Sequence, residues 1–158
     1  MNWRISPATA VHLAWCAAIG GGLAATSQYY TIGVSHSQSL PELLFLVERG
    51  HPFQRGDAVQ FIAPPNPMFT KPFVKRVVGL PGDLVEHRGG DVFVAGRRVG
   101  PVQTQTLQGR PLQPGPAGII PEGYLFLAGS HERSYDSRYA EIGLVPVTAV
   151  VGRAVPLF

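Results

Sequence analysis

A long amino-terminal stretch without charge constrains this chain more than any other feature. No Asp, Glu, Lys or Arg lies between Arg4 and Glu42, and residues 8–27 are small or apolar with a few polar exceptions. About 20 such residues suffice for a helix to cross the hydrocarbon core of a bilayer. A cleaved signal peptide is the alternative, but the length of the stretch and its weak amino-terminal charge favour a permanent anchor. We therefore predict a membrane anchor over residues 1–30 and an extracytoplasmic domain over residues 31–158.

The sequence after residue 42 has the pattern of a β protein. Short runs rich in Val, Phe and Leu are separated by Gly, Pro or Asp, and no segment has a convincing helical period. The predicted strands are 43–47, 58–63, 73–78, 84–87, 92–95, 124–127 and 147–155. Residues 91–99 predict a hairpin turning at Ala95-Gly96, and residues 100–118 predict a long surface excursion. The predicted fold class is mainly β, with short antiparallel strands preceded by one transmembrane helix.

Composition and spacing exclude several kinds of site. The formal net charge of +3 comes almost entirely from scattered arginines, which do not interleave with aromatic residues as a nucleic-acid-binding face requires. The five histidines have no metal-ligand spacing, and no phosphate-binding glycine motif is present. Cys16 is the only cysteine, so no internal disulfide can form. We therefore expect no nucleic acid, no metal and no other cofactor.

Lys75 is the strongest candidate for a side chain that takes part in a reaction. It is one of two lysines and has apolar residues at positions 73, 74, 77 and 78. Burial among such residues disfavours the ammonium and lowers its pKa from about 10.4, and a neutral amine can serve as the base for a serine nucleophile. A lysine at a strand edge is more often a solvated residue that discourages aggregation. Taken alone, the flanking residues favour that second interpretation.

Two further segments change this balance. Residues 35–41 read Ser-His-Ser-Gln-Ser-Leu-Pro just after the apolar stretch, and residues 129–139 include Ser-Tyr-Asp-Ser-Arg. In this order, and with the lysine segment 75–83 between them, they resemble the type I signal peptidase family of membrane serine proteases. Residues 75–83 resemble the lysine box of that family, and residues 134–138 resemble its Ser-x-Asp-Ser-Arg box.

The serine segment resembles one branch of that family. Ser39-Leu40-Pro41 stands where the housekeeping enzymes usually carry Ser-Met-x-Pro. This form is similar to the conjugative-transfer, TraF-type branch, whose members process pilin subunits. Residues 42–45 read Glu-Leu-Leu-Phe, where that branch usually has a Gly-Leu-Tyr element.

The resemblance implies a role for each candidate site residue. Ser39 is the expected nucleophile, with Ser35 and Ser37 as rivals, and Lys75 is its expected general base. Ser37 is expected to help stabilise the oxyanion. The supporting residues implied by the carboxy-terminal box are Ser134, which would orient the Lys75 amine, and Asp136 with Arg138. A pairing of Asp136 with Arg138 is favoured over a direct orienting role for Asp136, because a carboxylate close to Lys75 would raise its pKa.

The implied reaction is acyl transfer on a pilin-like or signal-peptide-bearing precursor, with either water or an amine releasing the product. The implied location is the bacterial inner membrane, with the catalytic domain on its periplasmic face and conjugation or secretion machinery as a partner. Arg4 on the short amino-terminal side places that end in the cytoplasm. The alternatives are a general secretory signal peptidase, a non-enzymatic membrane-tethered β module and, more distantly, a self-cleaving repressor-type domain.

Overall fold

A computed structural model describes residues 6–34, 40–64 and 71–157. One helix, α1 (Pro7–Ser27), precedes a series of short strands. The strands in chain order are β1 (Tyr30–Val34), β2 (Leu44–Glu48), β3 (Ala58–Phe61), β4 (Phe73–Gly79), β5 (Leu84–Arg88), β6 (Asp91–Val94), β7 (Arg97–Pro101), β8 (Gly118–Ile119), β9 (Tyr124–Ala128), β10 (Val145–Pro146) and β11 (Val150–Pro156).

Within the described residues these strands form two antiparallel sheets. The larger sheet has the order β1-β2-β11-β3-β4-β9-β10, and the smaller one has the order β7-β6-β5-β8. Every pairing between neighbouring strands of the described residues is antiparallel. Strand β4 lies in the interior of the larger sheet, between β3 and β9. The predicted mainly β class is therefore confirmed.

The predicted strands agree with the observed ones to within a few residues, with two kinds of difference. Strand β1 and the two-residue strands β8 and β10 were absent from the prediction. The predicted strand 147–155 begins instead with a 3₁₀ turn, Val147–Ala149, before β11. The hairpin between β6 and β7 turns at Ala95 and Gly96, which have φ values of 48° and 74°. Two successive positive φ angles are typical of the tight turns that match the twist of a hairpin.

Strand β9 joins the two halves of the core. Its sequence, Tyr-Leu-Phe-Leu-Ala, has no polar face, which is typical of a strand covered on both sides. Leu125 and Leu127 pack with residues of β3 and β4, whereas Phe126 and Ala128 pack with the smaller sheet. A third buried cluster contains Leu40, Phe45, Val47, Ala58, Val74 and Ala154. The smaller sheet thus packs against one face of β9, and the cluster containing Val59, Phe61 and Val77 packs against the other.

Helix α1 is exposed along its length. Ser6 caps its amino terminus by accepting a hydrogen bond from the Thr9 N–H, and Pro7 suits the first turn because its missing N–H would have no helical partner. The segment Ala8–Ser27 has 20 residues with a mean hydropathy of 1.4, and none of it is buried. It is long and apolar enough to cross a membrane, although a signal sequence would have the same properties. The helix ends two residues before β1 begins at Tyr30.

Candidate active site

Strand β4 presents Lys75 to the interior of the molecule. The register of β3 and β4 places Val59 opposite Lys75 and Phe61 opposite Phe73. Opposed residues in an antiparallel pair share a face, so Lys75 points to the same side as the buried cluster that contains Val59, Phe61 and Val77. Its exposed fraction is 1%. The interpretation of Lys75 as a solvated edge residue is therefore wrong, because β4 is an interior strand and the side chain points inward.

The Lys75 amine has a polar partner. Its Nζ donates a hydrogen bond to Ser134 Oγ over 2.8 Å, and Ser134 is itself buried. Desolvation lowers the pKa of Lys75 from 10.5 to about 8. The negative charge of Asp136 opposes this by raising the pKa, and the positive charge of Arg138 lowers it again. About a tenth of the lysine is therefore neutral at pH 7, compared with less than about a thousandth for an unperturbed lysine.

The loop that carries Ser134 is built around a buried ion pair. Asp136 and Arg138 have no exposed surface, and Arg138 donates to the carboxylate through Nε (2.9 Å) and Nη2 (2.8 Å). Asp136 also accepts from the Gly129 N–H. Burial alone would lower the pKa of Arg138, but the hydrogen bond and charge of Asp136 raise it, so Arg138 stays charged. Asp136 thus pairs directly with Arg138 and acts on Lys75 through its charge.

Arg138 also organises the backbone of this loop. Its Nη2 donates to the carbonyl oxygens of Ser134 (2.9 Å) and His131 (3.1 Å), and its Nη1 donates to the carbonyl of Glu132 (3.0 Å). Because one planar guanidinium holds three carbonyls of residues 131–134, the backbone under Ser134 has little freedom. The position of the Ser134 hydroxyl, and with it the direction of the Lys75 amine, therefore depends on Arg138.

The excursion predicted at 100–118 covers this loop, a contact that the sequence analysis missed. The Gly115 N–H donates to the Arg138 carbonyl over 2.7 Å, and the Gln103 N–H donates to the Tyr139 hydroxyl over 3.2 Å. A Cβ at Gly115 would collide with the Ser137 carbonyl, so the close approach requires glycine. Glycine at this position was the only sequence signal of the contact. A pocket of about 360 Å³ lies between the excursion and the loop, and it is lined by the residues on either side of Ser134.

The serine segment is described only from Leu40 onward, so Ser35, Ser37 and Ser39 lie outside the described residues. Leu40 is 2% exposed and belongs to the same buried cluster as Val74. Glu42 Oε1 accepts a hydrogen bond from Arg76 Nη2 over 2.9 Å. Glu42 is therefore hydrogen-bonded to the β4 residue that follows Lys75, and Leu40 lies in the same buried cluster as the residue that precedes it.

The described residues contain no group of three or more His, Cys, Asp or Glu side chains that could hold a metal ion. The groups gathered around Lys75 are a hydroxyl, a carboxylate and a guanidinium, of which the last two are already paired with each other. Such an arrangement can hold an amine away from water and fix its direction, as a group that accepts a proton requires.

Comparison with known proteins identifies the family. A family model described as signal peptidase, peptidase S26, matches residues 4–158. The chain belongs to this family of signal peptidases, and the resemblance to it and to its TraF-type branch is confirmed.

The chain is similar to the conjugal transfer protein TraF of Agrobacterium fabrum, with 33% identity over 153 residues that cover 82% of each chain. It is 35% identical over 114 residues to signal peptidase I of Leptolyngbya laminosa, which covers 68% of this chain and 54% of the relative. The chain thus spans about half the length of that signal peptidase. A solved signal peptidase I of Enterococcus faecalis V583 has 28% identity and a TM-score of 0.44, covering 67% of this chain and 98% of the other.

Proposed function

We propose that this chain is a membrane-anchored serine endopeptidase in which Ser39 is the nucleophile and Lys75 the general base. The observation that carries the proposal is the buried Lys75 amine, with its pKa lowered to about 8 and its Nζ hydrogen-bonded to Ser134 Oγ. Burying a lysine that has no carboxylate bonded to it costs free energy, and strongly perturbed groups of this kind are concentrated at functional sites. Membership of the signal peptidase family supports such a role, and α1 supplies a helix suited to a single-pass anchor.

The proposed reaction proceeds through an acyl-enzyme. The Ser39 hydroxyl attacks the scissile carbonyl while Lys75 Nζ accepts its proton, which forms a tetrahedral intermediate. The Ser39 N–H and the Ser37 hydroxyl stabilise the oxyanion, a kind of contact worth about 3 kcal/mol. The intermediate then collapses, the C–N bond breaks, and Lys75 returns the proton to the departing amine. Ser134 keeps the lysine amine directed through both transfers.

The proposed substrate is an extended segment of a membrane-associated precursor. Strand β1 forms one edge of the larger sheet and ends at Val34, immediately before the serine segment. An extended peptide can add to such an edge through backbone hydrogen bonds, which supports recognition of a polypeptide. The similarity to conjugal transfer protein TraF favours a pilin-like precursor, whereas the similarity to signal peptidase I favours a broader set of signal-peptide-bearing proteins.

Water and an amine are both able to release the acyl group from Ser39. Water would give a linear product with a new carboxylate. The amino terminus of the same substrate chain would instead form an amide and give a cyclic product, which contains no oxygen derived from water. The similarity to TraF is the observation that keeps the cyclising variant of the reaction as a second candidate.

The test uses the full chain in detergent, a pilin precursor or a signal-peptide-bearing precursor, and mass spectrometry of the products. Cleavage is expected, with a product one water lighter than the linear fragment if the substrate cyclises. Ser39→Ala, Lys75→Ala and Lys75→Arg should each abolish cleavage, the last because arginine keeps its proton near neutral pH. Lys71→Arg, at the only other lysine, should remain active. Cleavage by Ser39→Ala or by Lys75→Ala would refute the assignment.

A further inference from the structure

We propose that Glu42 and Arg76 are positioning residues, whose ion pair fixes the segment carrying Ser39 against the strand carrying Lys75. The inference rests on the proposed function, since it takes these two residues as nucleophile and base. It adds a contact that neither the lysine box nor the serine segment reveals when read alone. Neither Glu42 nor Arg76 touches the Lys75 amine in the described structure, so both would act through the backbone.

The Glu42–Arg76 ion pair has hydrogen-bond geometry and is held at a second point by the backbone. Arg76 Nη2 and Glu42 Oε1 are 2.9 Å apart, and the side chains are 39% and 22% exposed. Arg76 Nη1 also donates to the Gly56 carbonyl over 3.3 Å, which ties its guanidinium to the turn before β3. The second carboxylate oxygen of Glu42, Oε2, is buried and has no hydrogen-bond partner among the described residues. Arg76 is therefore the sole described hydrogen-bond partner of a carboxylate that is largely removed from water.

The spacing of the contacts along both segments makes the pair relevant to catalysis. Leu40 and Glu42 are one and three residues beyond Ser39; Leu40 shares a buried cluster with Val74, and Glu42 is paired with Arg76. Val74 and Arg76 are the two neighbours of Lys75 in sequence, and their side chains leave the strand on the face opposite to the lysine. The residues just after the nucleophile are thus joined by an ion pair to the residue that follows the base.

Such an attachment limits how far the two groups can drift apart. Pro41 lies between Leu40 and Glu42, and its fixed φ removes backbone freedom from the short connection. Loss of the ion pair would remove the hydrogen bond that joins Glu42 to β4 and leave only the burial of Leu40 to hold this stretch in place. Small errors in the placement of reacting groups reduce rates strongly, by about a hundredfold for a displacement of about 1 Å.

The chain contains a matched control for this pair. Arg153 Nη2 and Glu48 Oε2 are 2.6 Å apart, with side-chain exposures of 38% and 16%, close to those of the pair under test. This second pair joins β11 to β2. Arg153 lines the same cavity as Glu42 and Arg76, so the control substitution is made at Glu48. The general cost of removing a half-buried ion pair should be of similar size in Glu42→Ala and Glu48→Ala.

The experiment is a double-mutant cycle on the full chain in detergent, measured as kcat and KM for the cleaved precursor. Glu42→Ala is expected to lower kcat by about ten- to a hundredfold, with KM changed less than about twofold and a Tm shift no larger than that of Glu48→Ala. The double variant Glu42→Ala/Arg76→Ala should be no slower than the slower single variant. Exchanging the charges, Glu42→Arg with Arg76→Glu, should recover part of kcat. Glu48→Ala should leave kcat within about twofold.

A second readout does not depend on activity and covers the case in which Arg76→Ala fails to fold. Amide hydrogen exchange in peptides spanning residues 40–45 should be faster in Glu42→Ala than in Glu48→Ala. Equal exchange in the two variants, or a kcat for Glu42→Ala equal to that of Glu48→Ala, would overturn the positioning role. Failure of the wild-type chain to cleave, or full cleavage by Ser39→Ala, would instead refute the proposed function on which it rests.

Discussion

The lowered pKa of Lys75 predicts a pH dependence of the unfolding free energy, which can be measured independently of catalysis. Burial lowers this pKa from 10.5 to about 8, so the folded chain loses the proton at a pH at which the unfolded chain still holds it. Between pH 8 and pH 10.5 the unfolded state binds more protons, and stability from this group therefore rises with pH. Below pH 8 the folded state carries a buried ammonium. A difference of about 2.5 pKa units corresponds to about 3 kcal/mol at 1.36 kcal/mol per unit.

The perturbation that isolates this effect is Lys75→Met, which keeps an unbranched side chain and removes the titrating group. All other ionisable groups are shared by the two proteins, so the difference between their unfolding free energies reports on position 75. The wild-type protein gains stability between pH 8 and pH 10.5 and the variant does not. The stability advantage of Lys75→Met over the wild type should therefore fall by about 3 kcal/mol across that range.

The assay is urea unfolding in detergent, followed by far-UV circular dichroism at intervals from pH 7 to pH 10.5. The same pKa should govern activity: kcat/KM should rise about tenfold per pH unit below pH 8 and level off above it. Unfolding free energies that stay a constant distance apart over the whole range would refute the reasoning. They would mean that Lys75 titrates alike in the folded and unfolded chains and supplies no neutral amine near pH 7.

Two further substitutions test the groups around Lys75. Ser134→Ala removes the acceptor of the Lys75 Nζ–H bond and should lower kcat about fivefold, equivalent to a hydrogen bond of about 1 kcal/mol. Ser134→Thr, which keeps the hydroxyl, should lose less in the same steady-state assay. Asp136→Asn leaves Arg138 buried without its counter-charge and should lower the free energy of unfolding by about 3–5 kcal/mol in a denaturation experiment. Because Asp136 raises the pKa of Lys75, the midpoint of the pH–rate profile should move to lower pH in Asp136→Asn, and an upward shift would contradict this account.

The sequence pattern predicted the longer strands because each is a local apolar run between turn residues. It missed β1, where Tyr30–Val34 contains a glycine at its fourth position and begins only two residues after the helix has ended. It missed β8 and β10 because two-residue strands are defined by their partners: β8 pairs with β5, and β10 pairs with β9. The sequence pattern also could not predict the strand order of the larger sheet, because the last strand, β11, inserts between β2 and β3. Such pairings depend on tertiary packing, which local periodicity does not encode.

The candidate site was predictable in part for a related reason. The apolar flanks of Lys75 were compatible with burial but did not decide it, and the resemblance to signal peptidases linked the lysine to Ser134. Neither source indicated that residues 102–117 would cover the loop, because that contact depends on a single close approach at Gly115. The pairing of Glu42 with Arg76 joins positions 34 residues apart and has no local signature. Contacts made between segments were therefore the part of the site that required a structure.

The buried Asp136–Arg138 pair accounts for how the pKa of Lys75 can be lowered although a carboxylate lies nearby. A lone Asp136 near the Lys75 amine would stabilise the ammonium and work against proton acceptance. Arg138 is bonded to that carboxylate and has the opposite effect on the pKa of Lys75, so the two charges partly cancel at the amine and desolvation becomes the largest influence. The pair costs desolvation energy of its own, yet the same guanidinium fixes the carbonyl of Ser134. One ion pair therefore both fixes the backbone of the residue whose hydroxyl accepts from the Lys75 amine and offsets part of the effect of its own carboxylate on the pKa of Lys75.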